Sequence, residues 1–84
     1  MNKKHRRTLE AIFAEPTRAN VAWNDVEAML RNAGATVEER SGSRVAVLLN
    51  EVLQVFHRPH PQKEAKKSTV DSVRDFLTRA GVKP

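Results

Sequence analysis

Three short runs rich in β-branched and apolar residues, 36–39, 44–49 and 52–57, are joined by little more than Ser41-Gly42-Ser43 and Asn50-Glu51. Connections that short cannot carry the long crossover that parallel strands need, so neighbouring runs must pair as antiparallel hairpins. The middle of the chain is therefore expected to form a three-stranded antiparallel meander. Pro59 and Pro61 cannot donate ladder hydrogen bonds, so the third strand should end near Arg58 and leave His60 in a loop.

A sheet of three strands needs one face covered, and the flanking segments supply helices for it. Val26, Met29, Leu30 and Ala33 recur at helical spacing behind Trp23-Asn24-Asp25-Val26-Glu27. Asn24 is the expected N-cap there, Glu27 its reciprocal partner, and Gly34 the terminator. Val70, Val73, Leu77 and Ala80 form a second apolar stripe, which Ser68 and Asp71 should cap and Gly81 should close. Leu9, Ile12 and Phe13 indicate a further short helix over about residues 5 to 15, stopped by Pro16. The expected class is α+β: an α-β-β-β-α unit over residues 19–84 of double-stranded-RNA-binding-like layout, one sheet face covered by helices. Residues 1–18 form a basic N-terminal helical extension.

Composition narrows the function classes. The chain has 84 residues, no cysteine and a net charge of +5. Disulfides and thiolate zinc sites are excluded, and the longest apolar run, Val45 to Leu49, is far short of the roughly 20 residues of a membrane helix. A cytoplasmic protein with a polyanionic partner and no membrane association is the reading. Two clusters carry the charge: Lys3, Lys4, Arg6 and Arg7, and then Arg58, Lys63, Lys66 and Lys67.

The second cluster interleaves with histidines in Val55-Phe56-His57-Arg58-Pro59-His60-Pro61-Gln62-Lys63. RNA can be cut without a metal if one group takes the 2′-hydroxyl proton, another protonates the leaving oxygen, and a cation stabilises the charged intermediate. His57, His60 and Arg44 or Arg58 are chemically suited to these roles, because imidazole exchanges protons near neutral pH. His60, between prolines, is the expected exposed candidate. His57 alternates with Leu53 and Val55 and is expected to end a core-facing row. Phe56, on the opposite face with Gln54 and Arg58, is a candidate for stacking a base, as is Trp23, whose bland alternative is packing across its helix start. His57-x-x-His60 is a poor metal site without further strong ligands, so no metal or other cofactor is expected. Lys66 and Lys67 precede a helix, where cations oppose the dipole unless an anion such as phosphate completes the site.

Four pieces in order resemble the HicA family of toxin-antitoxin toxins over about residues 22 to 82. They are Trp23 with Asp25; Glu39-Arg40-Ser41-Gly42-Ser43; Pro59-His60-Pro61 with Lys66-Lys67; and Val70 to Gly81. The resemblance implies a small domain that cleaves mRNA without a metal and is neutralised by a HicB-like antitoxin. It also implies a catalytic histidine after Gly42-Ser43, where this chain has Arg44. Arginine cannot act as a base but can hold phosphate, so chemistry does not carry over to position 44 while nucleic-acid contact does. The expected RNA-contacting set is Ser43, Arg44, Arg58, His60, Lys63, Lys66 and Lys67, with His60 and His57 as candidate catalytic residues. A non-catalytic RNA-binding module and a protein-interaction domain are the alternatives. The sequence leaves open whether the chain is an active endoribonuclease, its RNA preference and its oligomeric state.

Overall fold

Asn50 and Glu51 both have positive φ, 48° and 69°, the backbone of a two-residue turn whose twist suits a hairpin. Gly42 and Ser43, at 71° and 62°, turn the chain at the preceding connection. Around these turns the computed structural model, which describes residues 1–60 and 63–84, builds the sheet expected from the sequence. Strands β2 (Thr36–Arg40), β3 (Arg44–Leu49) and β4 (Val52–His57) pair antiparallel in the order β2-β3-β4. They are preceded by α1 (Lys3–Phe13), β1 (Val21–Ala22) and α2 (Trp23–Asn32), and followed by β5 (Glu64–Ala65) and α3 (Lys67–Arg79). The architecture is α+β, compatible with a double-stranded-RNA-binding-like fold. The short strands β1 and β5 pair with each other, Val21 opposite Ala65, in a ribbon that no sequence pattern announced.

One face of the main sheet is the floor of the core. Val45, Val47, Leu49 and Phe56 pack there against Val26, Met29 and Leu30 of α2 and Val70, Val73, Phe76 and Leu77 of α3. Phe56 is the centre of an aromatic chain, its ring 5.9 Å from Trp23 and 5.6 Å from Phe76, the latter edge-on. Both Phe56 and Trp23 are buried, so neither offers a ring to a base. Leu9 and Ile12 of α1 join the same core, and α1 is held by packing rather than merely tethered. Arg74 of α3 fixes its end, Nε donating to the Ile12 carbonyl at 2.9 Å and Nη2 to that of Ala14 at 3.1 Å.

The opposite face is open, and it is not the face that the apolar pattern of β4 suggested. Leu53, Val55 and His57 are exposed, whereas Phe56 points into the core with Gln54 and Arg58 beside it. The polar members of that inner row are near the edge of the core and find partners: Gln54 takes a hydrogen bond from Arg79, and Arg58 reaches Glu27. His57 is therefore a surface residue rather than the end of a core-facing row.

The helix caps also differ from expectation. Helix α2 starts at Trp23, one residue before Asn24, with Ala22 as N-cap and no side-chain capping bond. Burial of Trp23 fixes that start, because its indole N–H donates to the carboxylate of Glu27 one turn later. Helix α3 is capped by Lys66, again without a side-chain bond; Asp71 instead accepts from Thr17 Oγ1 at 2.9 Å. At its other end, Asn50 Nδ2 donates to the Ala80 carbonyl at 2.9 Å, and Gly81 closes the helix at φ 78° as expected.

Candidate functional site

The end of β4, the chain that leaves it and the first turn of α3 enclose a cleft of about 450 Å³. Its walls include His57, Arg58, His60, Glu64, Lys66 and Thr69. A shallower hollow continues it along the free edge of β4, between Val55 and His57 on one side and Lys66, Ser68, Thr69 and Ser72 on the other. Four of the residues marked in the sequence, His57, Arg58, His60 and Lys66, thus line one cleft. The β1–β5 ribbon brings them together: Asn20 N–H donates to the Ala65 carbonyl and Trp23 N–H to that of Lys63, both at 3.0 Å. That pins the segment carrying Lys66 below the strand carrying His57.

His57 has a further neighbour. It pairs in register with Arg44 on β3, and Arg44 with Arg40 on β2. Residues directly opposite in an antiparallel pair share a face, with Cβ atoms about 4.5 to 5.5 Å apart. Arg40, Arg44 and His57 therefore form a row across one end of the open face. The Arg44 guanidinium folds back on the hairpin, donating to the Ser41 carbonyl at 2.9 Å and to Ser41 Oγ at 3.1 Å. The ladder continues one bond further, from Arg58 N–H to the Ser43 carbonyl at 2.8 Å, and then meets Pro59. His60 is exposed beyond it, as expected; Pro61, with Gln62, lies outside the described residues.

Lys66 is the N-cap residue and Lys67 the first residue of α3, whose first turn holds no acidic side chain. The free N–H groups at that end carry partial positive charge. Two lysines thus stand at a helix end without a side-chain cap, and Glu64 is the one carboxylate among the described residues that line the cleft. Lys63 and Lys67 are exposed at its flanks but do not line it.

Arg58 is engaged by carboxylates of the protein itself. Its Nε and Nη2 donate to Glu27 at 2.8 and 3.1 Å, and Nη1 to Glu39 at 2.7 Å. These bonds, that to Glu27 foremost, raise its pKa well above the ordinary arginine value. Glu27 is buried, which pushes its carboxyl up, but hydrogen bonds from Arg58 and Trp23 and the charges of Arg58 and Arg31 outweigh this and leave it lowered. The guanidinium is thus matched by two carboxylates at the cleft wall.

Thr69 and Ser72 were missed in the sequence, although their signal was there. Lys66, Thr69 and Ser72 are three residues apart, with Thr69 and Ser72 half-buried along one flank of α3's apolar stripe, and hydroxyls at such spacing make a polar groove wall. Among the described residues no three His, Asp or Glu side chains converge as metal ligands, and no helix is long and apolar enough to cross a membrane.

Residues 23–82 match the family model described as HicA toxin of bacterial toxin-antitoxin. Neither the curated proteins nor the solved structures give a match.

Proposed function

The chain belongs to the HicA toxin family of bacterial toxin-antitoxin systems, and from that premise we propose that it binds mRNA in the cleft between β4 and α3 and cleaves it without a metal. The observation that carries this reading is the convergence of His57, His60 and Lys66 at the bare N-terminus of α3. A phosphodiester placed there meets backbone N–H groups and an ammonium on its non-bridging oxygens. One imidazole takes the proton of the 2′-hydroxyl as its oxygen bonds to phosphorus. The other gives a proton to the 5′-oxygen as that bond breaks, leaving a 2′,3′-cyclic phosphate and a free 5′-hydroxyl. Arg44, across from His57, supplies positive charge for the pentacoordinate phosphorus.

We further propose a HicB-like antitoxin as the protein partner. Leu48, Leu53 and Val55 are 44%, 60% and 48% exposed and neighbour one another on the open sheet face beside the Arg40–Arg44–His57 row. Apolar side chains grouped on an otherwise charged surface support a protein partner that covers them. Occupation of that face also blocks access to His57.

A second reading, a binder that does not cut, draws on Arg44, which stands where the family resemblance places a histidine. One experiment separates the two. The purified chain is incubated with structured mRNA in excess chelator and the RNA is followed over time. Cleavage that falls about 10²-fold in His57→Ala or His60→Ala supports the first reading. RNA binding without cleavage, with cleavage appearing in Arg44→His, supports the second and overturns the first. Absence of RNA binding overturns both.

A further inference from the structure

The arginines of the N-terminal segment differ from those of the rest of the molecule. Arg31, Arg40, Arg58, Arg74 and Arg79 all lie within ion-pair reach of a carboxylate, and Arg44 is held by Ser41. Arg6, Arg7 and Arg18 have no carboxylate partner among the described residues, and all three are exposed. Helical geometry explains the first two. Thr8, Leu9 and Ile12 take the buried side of α1, which leaves Lys3, Arg6 and Arg7 on its outer side, where Glu10 is the one carboxylate.

Arg18 reaches the same surface from another direction. The segment after α1 is fastened at two points, by Thr17 Oγ1 donating to Asp71 of α3 at 2.9 Å and by Asn20 N–H donating to the Ala65 carbonyl at 3.0 Å. Arg18 lies in the chain between these two anchors, one on α3 and one on β5. A cavity of about 350 Å³ opens here between α1 and the start of β1, with Arg7, Thr8, Arg18, Asn20 and Asp25 among its walls. Asp25, its one acid, is answered by Lys4 at 3.7 Å, so Arg7 and Arg18 leave the cavity cationic. The segment that carries Arg18 is thus tied to β5 and to the first turns of α3, the part of the fold that carries Lys66 and Lys67.

We propose that the outer face of α1 together with Arg18 is a second RNA-backbone site, in which Arg6, Arg7 and Arg18 each take a phosphate of the RNA held in the β4–α3 cleft. The inference rests on the proposed RNA-binding reading and extends it to a segment outside the matched residues 23–82. Guanidinium groups suit this role because their forked donors match phosphate oxygens. An acidic protein segment is the competing occupant, and the anchoring of the Arg18 segment to β5 and α3, which border the proposed RNA cleft, favours the RNA backbone.

The test is the salt dependence of binding to one structured RNA, which counts phosphates neutralised at about 0.9 per contact on a duplex. The Arg6→Ala, Arg7→Ala, Arg18→Ala triple variant should lower the slope of log K against log salt by about 2 to 3. Replacement of the same three by lysine should keep most of it, which shows that charge rather than folding is read. Thermal unfolding of both variants should match the unchanged protein. A slope untouched in the alanine variant but flattened by Lys66→Ala with Lys67→Ala overturns the second site and leaves the cleft reading standing. Loss of antitoxin binding with an unchanged RNA slope overturns it in favour of a protein partner. An unchanged protein without salt-dependent RNA binding overturns both readings.

Discussion

Arg58→Ala should unfold the cleft wall rather than weaken an RNA contact. The side chain makes three charge-assisted hydrogen bonds, two to Glu27 and one to Glu39. Its loss leaves the Glu27 carboxylate, 7% exposed, with the Trp23 indole and the more distant Arg31 at 3.8 Å. Breaking a buried pair on one side costs about 3–5 kcal/mol. Arg58 is itself 31% exposed and Glu39 75% exposed, so water reclaims part of the charge and about 3 kcal/mol is the expected loss. For a domain of this size that lowers Tm by roughly 12 to 24 °C. Denaturation followed by the fluorescence of the single tryptophan, which bonds Glu27, reads the change directly. The pH dependence gives a second check. Glu27 has a lowered pKa in the folded protein, so its contribution is complete above the unfolded carboxyl value, about 4.3, and fades as pH falls through the folded value. The deficit of Arg58→Ala should therefore shrink on acidification, because a protonated Glu27 no longer needs a counter-charge. A loss under about 1 kcal/mol at neutral pH, together with a flattened RNA salt slope, refutes this account and returns Arg58 to the RNA interface.

Lys66→Ala with Lys67→Ala should flatten the RNA salt slope by about 1 to 2 without lowering Tm, measured by binding at several salt concentrations. His57→Ala should change stability by less than about 0.5 kcal/mol, because the residue is exposed, while lowering any cleavage; a large stability loss contradicts its placement on the open face. Leu53→Asp puts a charge in the middle of the exposed apolar group and should abolish co-purification with the antitoxin while RNA binding persists. Asn50→Ala removes the bond to the Ala80 carbonyl and should cost about 1 kcal/mol in urea denaturation.

The meander was legible because connection length leaves so few alternatives, and the helices because their apolar spacing is regular. The facing of β4 was not. Its more aliphatic row, Leu53 and Val55, is outside, and the row with Gln54 and Arg58 is inside, because Phe56 supplies the buried ring and the polar ends reach Arg79, Glu27 and Glu39. A strand at the sheet edge can bury such a row; counting apolar residues assumes that it cannot. Glu27 reads as a capping partner from spacing alone, yet its actual partner, Arg58, is 31 residues away. The two-residue strands β1 and β5 have no period to read, and without them the juxtaposition of His57 with Lys66 is invisible. The exit of His60 from the strand and the place of Lys66 at a helix start were legible because Pro59 and the start of a helix are local signals.

The proposed RNA site is tested most directly by a map of the contact surface. Amide chemical shifts of the isotope-labelled chain, bearing His57→Ala to prevent turnover, should be followed as structured RNA is added. The account predicts the largest changes at His60, Lys66, Lys67 and Thr69, with smaller ones reaching Arg44 at the near end of β3. Changes confined to α2 and the outer edge of β2, with the first turn of α3 unmoved, contradict it.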